Sequence, residues 1–195
     1  MRSDLATVSS LVIETIKDPA AMGAKIAQLR LPHQVGWMGL GLVIVLTVLA
    51  LGLEQMLPGG APVMSGMGGG PFVDVIFLGA MTTVFIFVLY YAGRAMGGSG
   101  TFGGTLLIMT WFQTVVLFLV VAQLIAVLLL PGLALIVSMA AFAIQLWCLL
   151  HFLNELHGFK SLPKALGLFA LTIMGFVFGL SIFLLLVGGA TMVGA

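Results

Sequence analysis

The strongest chemical pattern in the chain is the glycine-rich stretch GSGTFG at residues 98–103, which matches the letters GxGxxG. In a soluble dinucleotide-binding domain this pattern follows a strand, opens a helix and precedes an acidic residue by about 20 positions. Here long apolar runs lie on both sides of the stretch, and no acidic residue occurs between Asp74 and Glu155. We therefore expect a turn between two membrane helices, with no cofactor.

A second candidate site is formed by His151 and Glu155, which would share one helical face because they are four residues apart. Such a pair could serve acid–base chemistry in an intramembrane enzyme. No nucleophile, second carboxylate or set of metal ligands accompanies the pair in the sequence. We expect a helix end with a stabilising ion pair, and we predict that the protein is not an enzyme and has no catalytic residues.

Methionines around a glycine-rich loop could suggest a third kind of chemistry. Met56, Met64 and Met67 carry thioethers, which are soft ligands for copper(I). No histidine or cysteine joins them, and the single cysteine of the chain, Cys148, lies far away in sequence. We therefore predict no metal site.

Uncharged polar residues lie near the middle of several apolar runs: Thr82, Thr83, Gln113, Gln145 and Thr172. A polar side chain in hydrocarbon is costly unless it bonds across helices. We expect these residues to join helices. The alternative is a transporter or channel for a lipid or small neutral solute, and this alternative predicts a cavity lined by Gln113 and Gln145.

The composition decides the class of protein. The chain has 195 residues, of which 62% are apolar and only 7% are charged, whereas roughly 25% are charged in an ordinary globular protein. A soluble fold could not cover itself with so few charges, so the chain must be dissolved in lipid. The net charge of +1 gives no reason to expect a nucleic-acid partner.

Five apolar runs are long enough for the roughly 20 residues that a membrane-spanning helix needs. We predict an all-α integral membrane protein with spans at about 35–57, 72–93, 102–130, 132–156 and 163–189. The third and fourth runs are separated only by Pro131-Gly132, where a tight hairpin is the natural break. Ser161 can cap the fifth helix, and Pro163 suits its first turn.

The basic residues predict the orientation, because lysine and arginine accumulate on the cytoplasmic side. All seven fall on one side of the five-span arrangement: Arg2, Lys17, Lys25, Arg30, Arg94, Lys160 and Lys164. This pattern predicts a cytoplasmic N-terminus and a C-terminus on the opposite side of the membrane.

The N-terminal segment is predicted to be a separate unit at residues 1–34, followed by the five-span domain at 35–195. Asp18-Pro19 has the form of a helix cap followed by a first-turn proline. Apolar residues repeat at helical spacing on both sides of it: Leu5, Val8, Val12 and Ile16, then Met22, Ile26 and Leu29. We predict two short amphipathic helices on the cytoplasmic surface of the bilayer.

Several of these features occur together in one known family. The segments DPAAMGAKI and LRLP precede five spans, the second span leads into AGRAMGGSGTFGGTLLIMTWF, and the fourth ends in LHGFKSLPKAL. The chain resembles the bacterial branch of the YIP family, the Ypt/Rab-interacting membrane proteins. The resemblance implies the five-span fold in a bacterial inner membrane, with the C-terminus in the periplasm, and it carries over no catalytic residue. Eukaryotic members contact small GTPases through a cytosolic N-terminal region, whereas most bacterial members have no assigned function.

These observations predict a non-enzymatic protein that organises the membrane or binds a partner through its cytoplasmic face. The residues of that face are Lys17, Lys25, Arg30, Arg94, Lys160 and Lys164. Its partners would be membrane lipids, which attract basic side chains when they are anionic, and a cytoplasmic or membrane protein. Gly175 and Gly179 form a GxxxG pattern through which the chain could form a homo-oligomer. The intramembrane candidates are Thr83, Gln113, Gln145, His151 and Glu155.

Overall fold

The computed structural model of the protein describes residues 2–57 and 70–193, and all their regular structure is helical. The helices are α1 (Arg2–Lys17), α2 (Pro19–Gln28), α3 (His33–Gln55), α4 (Pro71–Ala95), α5 (Phe102–Leu129), α6 (Ala134–His157) and α7 (Leu162–Val193), with a short 3-10 helix at Pro131–Leu133. Helices α3 to α7 are long and apolar enough to cross a membrane. This confirms the predicted all-α integral membrane fold with five spans.

Local signals in the sequence set the helix boundaries. The Asp18 carboxylate accepts a hydrogen bond of 2.9 Å from the backbone N–H of Ala21, and Pro19 occupies the first turn of α2. The Thr101 hydroxyl accepts a bond of 3.1 Å from the N–H of Gly104 and so caps α5. Gly158 ends α6 with a φ of 65°, a conformation that glycine adopts without steric cost. The predicted cap at Asp18 and the helix break at Pro131-Gly132 are confirmed, whereas the predicted cap at Ser161 stays a prediction.

The five long helices form a closed ring in the order α3, α5, α6, α7 and α4, in which each helix contacts the next. Close approach of α3 to α5 depends on small residues, since a Cβ on Gly36 would lie 2.8 Å from the Leu106 side chain. The Thr110 hydroxyl donates a hydrogen bond of 3.2 Å to the Gly36 carbonyl at the same crossing. Fully buried leucine and isoleucine side chains such as Ile86, Leu106 and Leu153 fill the centre of the bundle.

The two ends of the bundle differ in charge. We call the end that carries Arg94, Lys160 and Lys164 the basic end, and the opposite end, which carries the hairpin at 130–133, the far end. On α7, Gly179 meets open space, and a Cβ on Gly175 would make only an ordinary 3.5 Å contact with Val88. Homo-oligomerisation through this face stays a prediction.

The two predicted N-terminal helices are present, but they lie against the side of the bundle. Val12 of α1 belongs to one buried cluster with Val115, Leu119 and Ala141. Leu119 is 17 residues beyond Phe102, where α5 begins, which is about 25 Å along the axis at roughly 1.5 Å per residue. Helix α1 therefore contacts α5 well inside the membrane-spanning part of the bundle, whereas a helix on the membrane surface would contact only the ends of the long helices.

Polar and apolar contacts both fix this position. The indole N–H of Trp111 donates a hydrogen bond of 3.1 Å to the Thr15 hydroxyl, and Thr15 is fully buried. Helix α2 packs on α6 through Gly23, whose Cβ would lie 3.1 Å from the Phe152 ring. The apolar stripes predicted in the N-terminal segment therefore face α5 and α6 as well as lipid.

Candidate functional site

The glycine-rich stretch forms a tight turn around one histidine at the basic end. Helix α4 precedes the turn and α5 follows it, so the strand required before a dinucleotide-binding loop is replaced by a helix. Ser99 donates a backbone hydrogen bond of 3.1 Å to the carbonyl of His157. A Cβ on Gly98 would lie 2.5 Å from Nδ1 of His157, and one on Gly100 would lie 2.8 Å from the same atom.

The enclosed His157 side chain has no polar partner in the described structure. It is only 2% exposed, and neither Nδ1 nor Nε2 makes a hydrogen bond within the described residues. Its ring stacks on Phe159 at a centroid distance of 5.4 Å, and a Cβ on Gly93 of α4 would overlap the ring. No sequence pattern identified His157, although the glycines at 93, 98 and 100 were a signal that a bulky side chain packs against the turn.

The predicted interaction face divides into two groups. Arg30, Arg94, Lys160 and Lys164 are exposed, lie beside the starts or ends of the long helices at the basic end, and make no ion pair with any described residue. Lys25 differs, since its ammonium lies 2.7 Å from the Glu14 carboxylate. Lys17 is exposed at the end of α1. The structure thus brings four of the six predicted residues to one end.

The connection between α6 and α7 is held in a defined shape. Lys160 has a φ of 51°, which is uncommon for a residue other than glycine. The Asn154 side chain accepts a hydrogen bond of 2.8 Å from the backbone N–H of Ser161, and the Asn154 carbonyl accepts one of 3.1 Å from that of Phe159. These bonds, together with that from Ser99 to His157, fix the two basic connections to each other.

A cavity of about 330 Å³ lies between α4, α5, α6 and α7, and both predicted glutamines line it. The Gln113 amide donates a hydrogen bond of 3.3 Å to the Thr82 hydroxyl across the α4–α5 contact. Gln145 makes no hydrogen bond to any described residue. Thr82 lines the cavity, whereas Thr83 does not. Gln113 therefore joins two helices and faces a cavity as well.

His151 and Glu155 lie on the same helix but have different partners. Nδ1–H of His151 donates a hydrogen bond of 2.9 Å to the Trp147 carbonyl, and its ring lies 4.1 Å from the Trp147 ring. The Glu155 carboxylate accepts one of 3.3 Å from the Asn154 amide. The ion pair predicted between His151 and Glu155 does not form.

A buried carboxylate that was not predicted from the sequence lies near the far end. Glu54 is 1% exposed, and its Oε1 accepts a hydrogen bond of 2.7 Å from the Gln123 amide. The bond links α3 to α5 at the end opposite the basic residues. A carboxylate in this position is costly to bury without its partner.

The structure does not describe a complete set of ligands for the copper(I) site considered from the sequence. The described residues contain no group of three or more histidine, cysteine, aspartate or glutamate side chains that could hold a metal ion. Met56 is 82% exposed. Met64 and Met67 lie outside the described residues.

Comparison with known proteins supports the resemblance. The family model described as the Yip1 domain matches residues 13–191. The chain belongs to the Yip1 family. Neither the comparison with curated proteins nor the comparison with solved structures gives a match. The Yip1 match runs from α1 to α7, so it includes the glycine turn, the basic end and the cavity.

Proposed function

We propose that this Yip1-family protein acts without catalysis, by organising anionic lipid or holding a partner at the basic end of the bundle. The observation that carries the proposal is the group of four exposed basic side chains, Arg30, Arg94, Lys160 and Lys164, without an acidic partner among the described residues. Each basic side chain near an anionic membrane surface contributes about 1 kcal/mol of attraction.

The same charges support the proposed orientation. Basic connections accumulate on the cytoplasmic side of a membrane protein, so the basic end is proposed to face the cytoplasm of a bacterial cell and the far end the periplasm. The C-terminus would be periplasmic, because α7 starts at the basic end. Helix α1 contacts α5 further from the basic end towards its own start, at Trp111 through Thr15 and at Leu119 through Val12, so the basic end gives no support for the predicted cytoplasmic N-terminus. The fixed geometry of the two connections favours recognition, because side chains on a rigid backbone lose less freedom when a partner binds.

Removal of the N-terminal segment is a poor test of this function. Met22 and Ile26 pack against Ile108 and Phe152, so a deletion would expose apolar faces of α5 and α6. Neutralising charges at the basic end leaves these contacts intact and is the sharper perturbation.

The test is photo-crosslinking in intact cells from one residue at each end. Leu162 at the basic end is 38% exposed and Leu130 at the far end is 58% exposed, so each can carry a photoreactive amino acid. We expect adducts of lipid or protein from position 162 that decrease about tenfold or more when Arg94, Lys160 and Lys164 are all changed to Gln. Adducts from position 130 should not change.

A matched control is Lys25→Gln, which removes a charge that Glu14 already pairs. It should leave the adducts at position 162 unchanged. Adducts at 162 that persist in the triple variant would contradict the proposed role of the basic end.

A second candidate function is movement of a lipid or small neutral solute through the bundle. The observation in its favour is the cavity lined by Gln113 and Gln145. Flux of a neutral solute into proteoliposomes tests it, with Gln113→Leu and Gln145→Leu as the variants. Flux equal to that of protein-free vesicles would remove this candidate.

A further inference from the structure

The cavity between α4, α5, α6 and α7 combines an apolar wall with two amides in the membrane interior. Its volume of about 330 Å³ lies within the usual range for small-molecule pockets. It reaches lipid beside Phe142, which lines the cavity and is 69% exposed at the surface of α6. A molecule dissolved in the bilayer therefore has a route to the two amides.

The amides define the polar part of an occupant. Gln145 makes no hydrogen bond to a described residue, and Gln113 uses its N–H on Thr82, which leaves its carbonyl oxygen free to accept. An amide in an apolar surrounding without a hydrogen bond costs roughly 2–7 kcal/mol. A hydroxyl group fits this pair well, because it both donates and accepts.

The remaining wall defines the body of the occupant. It consists mainly of aromatic and methionine side chains, with Phe85, Phe112, Phe169 and Met109 among them. Among the described residues, no lysine, arginine, aspartate or glutamate lines the cavity. A charged group would stay unpaired there in a medium of low dielectric constant, so the occupant must be neutral.

We propose that this cavity binds an uncharged, lipid-soluble alcohol, whose hydroxyl lies between Gln113 and Gln145 and whose chain lies against the phenylalanines. This binding site goes beyond the proposed role of the basic end. It shares its cavity with the second candidate function but needs no transport step, so binding and flux can fail separately.

The test uses a long-chain fatty alcohol with a diazirine in the chain and the full-length protein in nanodiscs. Because the diazirine lies in the chain, irradiation should label peptides that carry the cavity wall, such as those with Phe85, Phe112 and Phe169, and unlabelled fatty alcohol should compete. Loss of one hydrogen bond corresponds to about tenfold weaker binding, so Gln145→Leu should weaken labelling about tenfold. Ser138→Ala is the matched control on α6, because among the described residues the Ser138 hydroxyl bonds only to the Ala134 carbonyl of its own helix, and it should label like the wild type.

Two further diazirine probes have the same chain length as the fatty alcohol but a different end group. The matching alkane, which lacks the hydroxyl, should label the cavity about tenfold less, and the matching fatty acid, which carries a charge at neutral pH, should also label less. Equal labelling by the alkane would show that acyl chains fill the cavity and would overturn the proposal. Stronger labelling by the fatty acid, or labelling that avoids the residues of the cavity wall, would overturn it too.

A stability measurement guards against a variant that fails to fold. Gln145→Leu removes an amide without a described partner, so thermal unfolding of the empty protein should occur at the wild-type temperature or above. Added fatty alcohol should raise the unfolding temperature of the wild type but not that of Gln145→Leu. An equal rise in both proteins would contradict the assignment of Gln145.

Discussion

The contact between the glycine turn and His157 can be tested with a single methyl group. In Gly93→Ala the new Cβ would overlap Cε1, Nε2 and Nδ1 of the His157 ring. The ring cannot swing aside, because Gly98 and Gly100 enclose it and Phe159 stacks on it. Either the end of α4 or the end of α6 must therefore move.

The size of the effect follows from the crowding. Overpacking a well-filled site costs about 1–3 kcal/mol, and the overlap with three ring atoms favours the upper part of this range. Alanine in place of glycine within a helix stabilises the helix by up to about 1 kcal/mol. We expect a net loss of about 2 kcal/mol, which corresponds to a decrease of about 4–8 °C in the unfolding temperature of a chain of this size.

A double-mutant cycle shows whether His157 is the cause. In the His157→Ala background the ring is gone, so Gly93→Ala should cost little or nothing. Gly98→Ala should behave differently, because its Cβ would also lie 2.8 Å from the Gly93 carbonyl oxygen and removal of the ring leaves that clash. The coupling energy between Gly93→Ala and His157→Ala should then be about 2–3 kcal/mol.

Thermal unfolding of the purified protein in one detergent is the assay for all of these variants. The control is Gly41→Ala, since a Cβ on Gly41 meets nothing within 4 Å, and it should not lower the unfolding temperature. An equal loss of stability from Gly93→Ala with and without His157 would refute the described packing. Wild-type stability of Gly93→Ala would refute it as well.

Further predictions concern the N-terminal helices and the far end. Gly23→Leu should force α2 away from Phe152, expose the buried Cys148 and speed its alkylation several-fold in membranes, and an unchanged rate would contradict the docking of α2. Gln123→Leu should lower stability by about 1–3 kcal/mol, because it leaves the buried Glu54 carboxylate without its partner. Replacing both Glu54 and Gln123 by Leu should recover most of this loss in the same unfolding assay, and failure to recover it would show that the pair is not coupled.

Much of the fold could be predicted because the bilayer imposes a simple rule on the chain. In lipid a spanning segment must form a long apolar helix, because its backbone groups can then bond to one another. The five long apolar runs of the sequence therefore predicted the five spans. The predicted limits of the first four agree with α3 to α6 to within two residues. Pro131 and Asp18 predicted helix boundaries because proline and a capping carboxylate act on the neighbouring backbone. The structure has helix boundaries beside both residues.

The remaining features depend on contacts between distant parts of the chain. The apolar stripe that contains Val12 predicted a helix with one apolar face. Lipid and a neighbouring helix are equally apolar, so the pattern could not distinguish a face on lipid from a face on α5 and α6. No local pattern identified His157, because the turn that encloses it begins about 60 positions earlier in the chain. The two glutamines were identified as intramembrane polar groups, whereas the choice between a helix contact and a cavity required their positions.

The central claim is that the basic end holds anionic lipid or a partner through Arg30, Arg94, Lys160 and Lys164. Native mass spectrometry of protein taken from nanodiscs with equal amounts of anionic and neutral phospholipid tests it most directly. The account predicts that the wild type and Lys25→Gln retain anionic lipid preferentially, and that this preference disappears when Arg94, Lys160 and Lys164 are all changed to Gln. Equal retention of anionic lipid by the triple variant and the wild type, with no protein bound to either, would contradict it.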